Sequence, residues 1–203
     1  DIATRIPGDA EEYSLKITQL FVPIYSHNIN FVQKFINEYN QNMPLVNENA
    51  TAYLGIIGCI GFLIGVISLF KTETRIENEE IFLFSRMNIA SILFMSVGGF
   101  ISLLAVLTKV YVMRGFNRIS IYIMFCSLFI ICSKLQTYYI KVKKRNLKGI
   151  YLSVAIMVLI LGVWDQVPVL INDGSSLKKL GVIWNNDDNF IKKIESTLEN
   201  GDM

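Results

Sequence analysis

Residues 50–70 read ATAYLGIIGCIGFLIGVISLF, twenty-one positions without a charge. At a rise of ~1.5 Å per residue, a helix of that length reaches about 30 Å, the thickness of a bilayer's hydrocarbon core. Gly55, Gly58, Gly61 and Gly65 recur every three or four residues. That spacing puts them on one helical face, where a second helix can approach closely, and it includes a Gly61-x-x-x-Gly65 pair. The spacing does not match a loop that cradles phosphate. The stretch therefore predicts a membrane span with a packing face, and it sets the class for the rest of the chain: an all-α integral membrane protein.

Outward from it, three more apolar runs follow. Met87–Leu107 is a second uncharged run of twenty-one residues, with Gly98-Gly99 as a predicted kink or close-packing point. Ile119–Ser133 has fifteen residues and becomes long enough if Arg118 and Lys134 snorkel and the helix continues through Leu135–Ile140. Gly149–Trp164 has sixteen. The predicted spans are 50–70, 87–107, 119–140 and 149–164. Tyr138, Tyr139, Tyr151 and Trp164 fall near run ends, where aromatic residues favour the interface. The 203 residues are 52% hydrophobic, and 19 Lys+Arg nearly balance 17 Asp+Glu, so charge gives no argument for nucleic acid. Cys59, Cys126 and Cys132 all lie in apolar runs, which predicts buried thiols rather than disulfides or a metal site. The single His27 rules out a multi-histidine zinc site. No cofactor is expected, and nothing in the sequence supports a divalent metal.

The flanks are polar. In residues 1–49, Ile29, Val32, Phe35, Ile36 and Tyr39 recur at helical spacing among Asn30, Gln33, Lys34 and Asn37. This reads as an amphipathic helix lying on a membrane surface, on a partner helix, or on the rest of the protein. Residues 165–203 are polar, with a small helix predicted over Asn189–Glu199. The chain opens at Asp1 without a signal peptide, and we expect it to be a piece of a longer protein. Orientation follows from Lys141, Lys143, Lys144, Arg145 and Lys148, a loop without an acid. It places 71–86 and 141–148 in the cytoplasm, and 1–49, 108–118 and 165–203 outside. The tails agree: six acids face three bases in the first fifty residues, and seven face four in the last thirty-nine.

That topology makes Met113–Ser120 (Met-Arg-Gly-Phe-Asn-Arg-Ile-Ser) anomalous, because it keeps Arg114 and Arg118 on the side where bases are disfavoured. Two guanidiniums suit an anion such as a lipid phosphate. The alternatives are headgroup snorkelling or an ion pair. Asn117 would donate to the same group or, as the favoured reading, cap the following helix. Gly115 would allow a tight turn or close backbone approach. Asn47, Glu48 and Asn49 precede the first span; they suit sugar hydroxyls or a helix cap. Asn49-Ala-Thr51 is a formal glycosylation sequon abutting the membrane. Asp165 and Gln166 follow the last span. Asp165 is read as a partner of Arg114 or Arg118, or as a base or metal ligand, and Gln166 as a substrate-binding group. His27 is read as a surface or cap residue, with catalysis the weaker alternative. Asp165 and His27 are the catalytic candidates.

Several phrases in order carry a resemblance: Glu11-Glu-Tyr-Ser-Leu-Lys-Ile-Thr-Gln-Leu-Phe-Val-Pro23, His27, Pro44-Leu-Val-Asn-Glu-Asn49, Tyr53-Leu-Gly55, Arg114-Gly-Phe-Asn-Arg-Ile-Ser-Ile-Tyr-Ile123, Trp164-Asp-Gln166 and Phe190-Ile-Lys-Lys-Ile-Glu195. Over nearly its whole length the chain resembles the C-terminal half of the membrane domain in a family of large bacterial inner-membrane proteins of the GT-C glycosyltransferase type. These use polyprenyl-phosphate sugar donors, and some members carry a sulfatase-like or phosphoglycerol-transferase label. The resemblance implies a transferase at the outer face of the cytoplasmic membrane. Its partners would be membrane lipid, a lipid-linked sugar or phosphate donor, and further N-terminal helices of the same protein. It also implies a catalytic acid in an early outer loop that these residues do not include, so the chain alone is expected to be inactive. Asn28 departs from the pattern, which has an arginine there. The competing expectations are a transporter or flippase of a polar lipid, and a structural membrane anchor for a separate alkaline-phosphatase-like enzyme.

Overall fold

The computed structural model describes residues 6, 8–25, 27–44, 46–71, 78–109, 115–142, 145–167 and 174–196, with backbone alone at 145–146 and 174–180. They fall into two units, Asp1–Val167 and Pro168–Met203. The described residues are helical, apart from turns and an isolated parallel bridge between Leu15 and Ser96. The helices are α1 (Gly8–Glu12), α2 (Asn30–Asn42), α3 (Gly55–Leu69), α4 (Glu79–Met95), α5 (Phe100–Thr108), α6 (Ser120–Lys141) and α7 (Arg145–Gln166) in the first unit. The second unit holds α8 (Gly174–Glu195).

Two helices, Phe116–Lys141 (α6 with the 3₁₀ turn before it) and Leu147–Gln166, are long and apolar enough to cross a membrane. They correspond to the third and fourth predicted spans. The first two differ. Over 50–70 the helix begins only at Gly55, because 3₁₀ turn Asn47–Thr51 precedes it and Gly55 itself sits at φ +74°. Its fifteen residues reach about 22 Å. The run 87–107 is broken rather than kinked. Ser96 is extended, Gly98 has φ +74°, and α4 and α5 are separate helices. Leu15 occupies the break, its N–H donating to Met95 O at 2.8 Å and its carbonyl accepting from Val97 N–H at 3.0 Å. Residues 79–86, expected in a solvated connection, form the first turns of α4 because their apolar positions continue the helical pattern. In the second unit α8 begins fifteen residues before the helix expected at Asn189, and residues 197–199 of that expectation lie outside the described residues.

The centre of the first unit is the mutual packing of α3, α4 and α6, with α7 against α3. The glycine face of α3 makes it. A Cβ at Gly61 would run into the backbone oxygen of Ser127, and one at Gly65 would stand 2.9 Å from Ile130 Cδ1. Polar groups at this contact bond internally, apart from Asn88 Oδ1, which is buried without a partner. Ser85 and Ser127 hydroxyls donate to the carbonyls one turn back, and Asn88 Nδ2 donates to Ser127 Oγ at 3.1 Å. Over this core lies the N-terminal segment, with Leu15, Leu20, Ala52, Leu54, Phe62 and Ile123 forming one buried cluster. On α2 the buried face centres on Ile36, with Val32 and Tyr39 partly covered. Phe31 and Phe35 of the same helix are exposed. The thiol expectation is corrected in part: all three cysteines are free, but Cys59 is half-buried and Cys132 exposed, and Cys126 alone is buried.

Because the obstacle at Gly61 is backbone, it cannot swing aside. Gly61→Ala is expected to lower unfolding stability by about 1–3 kcal/mol, measured by denaturant titration in detergent micelles. Gly149→Ala, where a Cβ meets nothing within 4 Å, is expected to be neutral or stabilising by up to about 1 kcal/mol.

Candidate functional site

Helix α3 begins without a side-chain cap of its own; Leu54 holds the cap position. The first amides of a helix have no partner within it. Here the partner comes from a distant helix. Asp165, the penultimate residue of α7, accepts from Ile56 N–H at 2.9 Å and from the Tyr53 hydroxyl at 2.9 Å, both on Oδ2. Its Oδ1 lies 3.1 Å from His27 Nε2. The carboxylate thus sits against the positive end of α3, where the helix dipole favours it.

The imidazole is fixed from both sides. Ile29 N–H donates to His27 Nδ1 at 3.2 Å. Nδ1 is therefore the acceptor and Nε2 carries the proton given to Asp165. Trp164 meets the ring edge-on at 6.3 Å between centroids. Asn28 closes the other end of the knot, its Nδ2 donating to Trp164 O at 3.0 Å and to Val167 O at 3.1 Å. These are last-turn carbonyls that no intrahelical amide reaches. Asn28 thus caps the C-terminus of α7. Burial, and then the Asp165 carboxylate beside it, push the Tyr53 phenol above its ordinary value, so it remains a donor. Gly55 completes the fit: a Cβ there would collide with the Gln166 amide.

The arrangement bears on each expected residue. His27 and Asp165, weighed separately in the sequence, are brought together. Asp165 is 1% exposed and His27 5%. Both oxygens of one and both nitrogens of the other are engaged, so the pair acts as a staple between residues 27–29, α3 and α7. Among the described residues Asp165 pairs with His27 and not with Arg118. Gln166 lies at the end of an apolar cleft between α3, α6 and α7.

Of the group before α3, Asn47 and Glu48 are exposed, and Asn47 Nδ2 donates to Glu12 O at 3.1 Å. Asn49 is buried. Its Oδ1 accepts from Lys16 N–H at 3.0 Å and its Nδ2 donates to Ser14 O at 2.9 Å. None of the three caps α3, since that amide is taken by Asp165. Asn117 does not cap α6 either. It lies in 3₁₀ turn Phe116–Ile119, Ile119 holds the cap position without a side-chain bond, and Asn117 is tied by its own N–H to Tyr13 O at 3.3 Å. Its Oδ1 is buried without a partner. Arg118 is exposed, with no ion pair among the described residues. Arg114 lies outside the described residues. No three His, Cys, Asp or Glu side chains gather as metal ligands among the described residues. Comparison with profiles of known protein families, with curated proteins and with solved structures finds no match.

Removing the carboxylate strands three donors, two of them buried. Asp165→Ala is expected to cost about 3–5 kcal/mol of unfolding free energy and Tyr53→Phe about 1–2 kcal/mol. Chemical denaturation of the two variants and the double variant checks this. Losses that add without coupling would argue against a shared network.

Proposed function

We propose that this chain is the membrane-embedded part of a transferase that acts, at the outer face of the bacterial cytoplasmic membrane, on a lipid-linked phosphate donor. The observation that carries the reading is Arg118, an exposed guanidinium without an ionic partner among the described residues. It is held on a turn that is fastened to the N-terminal segment through Asn117. No acid occurs from residue 81 to residue 164, so no neighbour in sequence competes for it.

Charge and helix geometry support the placement. Arg118 stands two residues before the 22-residue α6 and Lys141 ends it, a separation of about 34 Å along the axis. The two basic groups therefore lie on opposite sides of a span. The lysine-rich one takes the cytoplasmic side by the positive-inside bias. Tyr151 OH bonds Leu135 O at 3.0 Å, so α7 runs back antiparallel, with Asp165 and Gln166 at the Arg118 end. The sixteen uncharged positions of α7 from Gly149 to Trp164, none of them buried, fit a helix surrounded by lipid and by neighbouring helices. On this reading Arg118, with Arg114, neutralises a phosphate whose charge grows as the donor bond breaks. The polar groups at Asn47, Glu48 and Gln166 lie at the same face for an acceptor.

The test is binding of a polyprenyl phosphate to the full-length protein in nanodiscs, with turnover in membranes. Arg118→Ala is expected to weaken binding by about 10- to 100-fold, the loss of one charge-assisted contact, and Arg114→Ala by a similar factor. Unchanged binding and turnover in both variants would remove the proposal.

A further inference from the structure

The cleft beside α7 is not filled by the protein. Two adjoining cavities of about 410 and 290 Å³ lie between α3, α6 and α7 and share Ile57, Ile131, Leu135, Ala155 and Val158 on their walls. Each is within the range of roughly 300–1,000 Å³, or close to it, of sites that hold small molecules. The fold keeps the cleft open by fastening α7 at its two ends. At one end Asp165 caps α3 and Gly162 receives Ile57, where a Cβ would collide. At the other, the Tyr151 hydroxyl holds Leu135 O. Between these points the walls are aliphatic.

The two mouths differ in charge. The mouth near Tyr151 carries Lys134 and Tyr138, and Lys148 lies over the Tyr139 ring at 5.0 Å. The other mouth is closed by Gln166 beside the buried Asp165 carboxylate. A helix, about 10 Å across, cannot enter between elements already joined at both ends; a hydrocarbon chain can.

We propose that this cleft holds one acyl chain of an anionic phospholipid, with the lipid phosphate at Lys134 and Lys148. The chain replaces water along an apolar wall, and the phosphate meets the two ammonium groups where no carboxylate from residue 81 to 164 opposes it. At the opposite end the cleft is lined by the neutral Gln166 and by no basic residue, so the reverse orientation would leave the phosphate without a counter-charge. The inference shares the membrane placement proposed above but needs no transfer chemistry, and it concerns the end of α6 away from Arg118.

The experiment is lipid retention measured by native mass spectrometry. The full-length protein is taken from nanodiscs containing equal phosphatidylglycerol and phosphatidylcholine into neutral detergent. The wild type is expected to retain one phosphatidylglycerol in preference to phosphatidylcholine. Lys134→Gln with Lys148→Gln is expected to lower that preference by about five-fold per lysine. Ala155→Phe, which fills the shared wall, is expected to lose both lipids. Equal retention of the two lipids by the wild type, or a preference unchanged in the lysine variant, would overturn the proposal. The lysine substitutions are at a cleft mouth and leave the core intact, so the test does not depend on the folding of Ala155→Phe. Polyprenyl phosphate binding at Arg118 is read separately, so the two proposals fail independently.

Discussion

One carboxylate closes the Asp1–Val167 unit. Asp165 stands at the C-terminal end of α7 but satisfies the N-terminal amide of α3, 109 residues earlier in sequence. A buried carboxylate is costly unless donors surround it, and here Ile56, Tyr53 and His27 supply them. The same group therefore joins three parts of the chain that no local rule would connect. Asn28 makes the reciprocal bond, capping α7 from the segment that carries His27.

That knot accounts for the form of the remaining structure. With α7 fastened at Asp165 and again at Tyr151, it meets α3 and α6 at its ends and stands off between them. The tight packing lies elsewhere, along the glycine face of α3 against α6 and α4. One side of α3 is thus close-packed by backbone approach, and the other borders a cleft. Glycine serves both sides for different reasons: at Gly61 to admit a neighbour's backbone, and at Gly55 to adopt a positive φ under the Gln166 amide.

Much of the fold was legible in hydropathy. The apolar lengths of 119–140 and 149–164 gave helices with boundaries within a few residues, and the α3 glycine spacing gave its packing face. Two features escaped. Hydropathy cannot see Leu15 entering between Met95 and Val97, because a strand-like bridge made by a residue eighty positions away leaves the run 87–107 unchanged in composition. Nor does it reveal that Ala50–Leu54 stays outside the helix, since uncharged residues suit both states. Of the site, His27 and Asp165 were each marked by residue type, but their partnership spans 138 positions. Tyr53 and Asn28 carried no sequence signal for their roles. The capping expectation for Asn117 failed because a 3₁₀ turn extends the helical path past it, leaving the cap position to Ile119.

The cap supplied across the fold is most directly tested by hydrogen exchange at the first turn of α3 in detergent micelles, in the wild type and in Asp165→Ala. Protection of the Ile56 amide is expected in the wild type and its loss in the variant, while amides in the middle of α3, bonded within their own helix, stay protected. Rapid exchange at Ile56 in the wild type, or protection that survives the loss of the carboxylate, would contradict a helix cap supplied by Asp165.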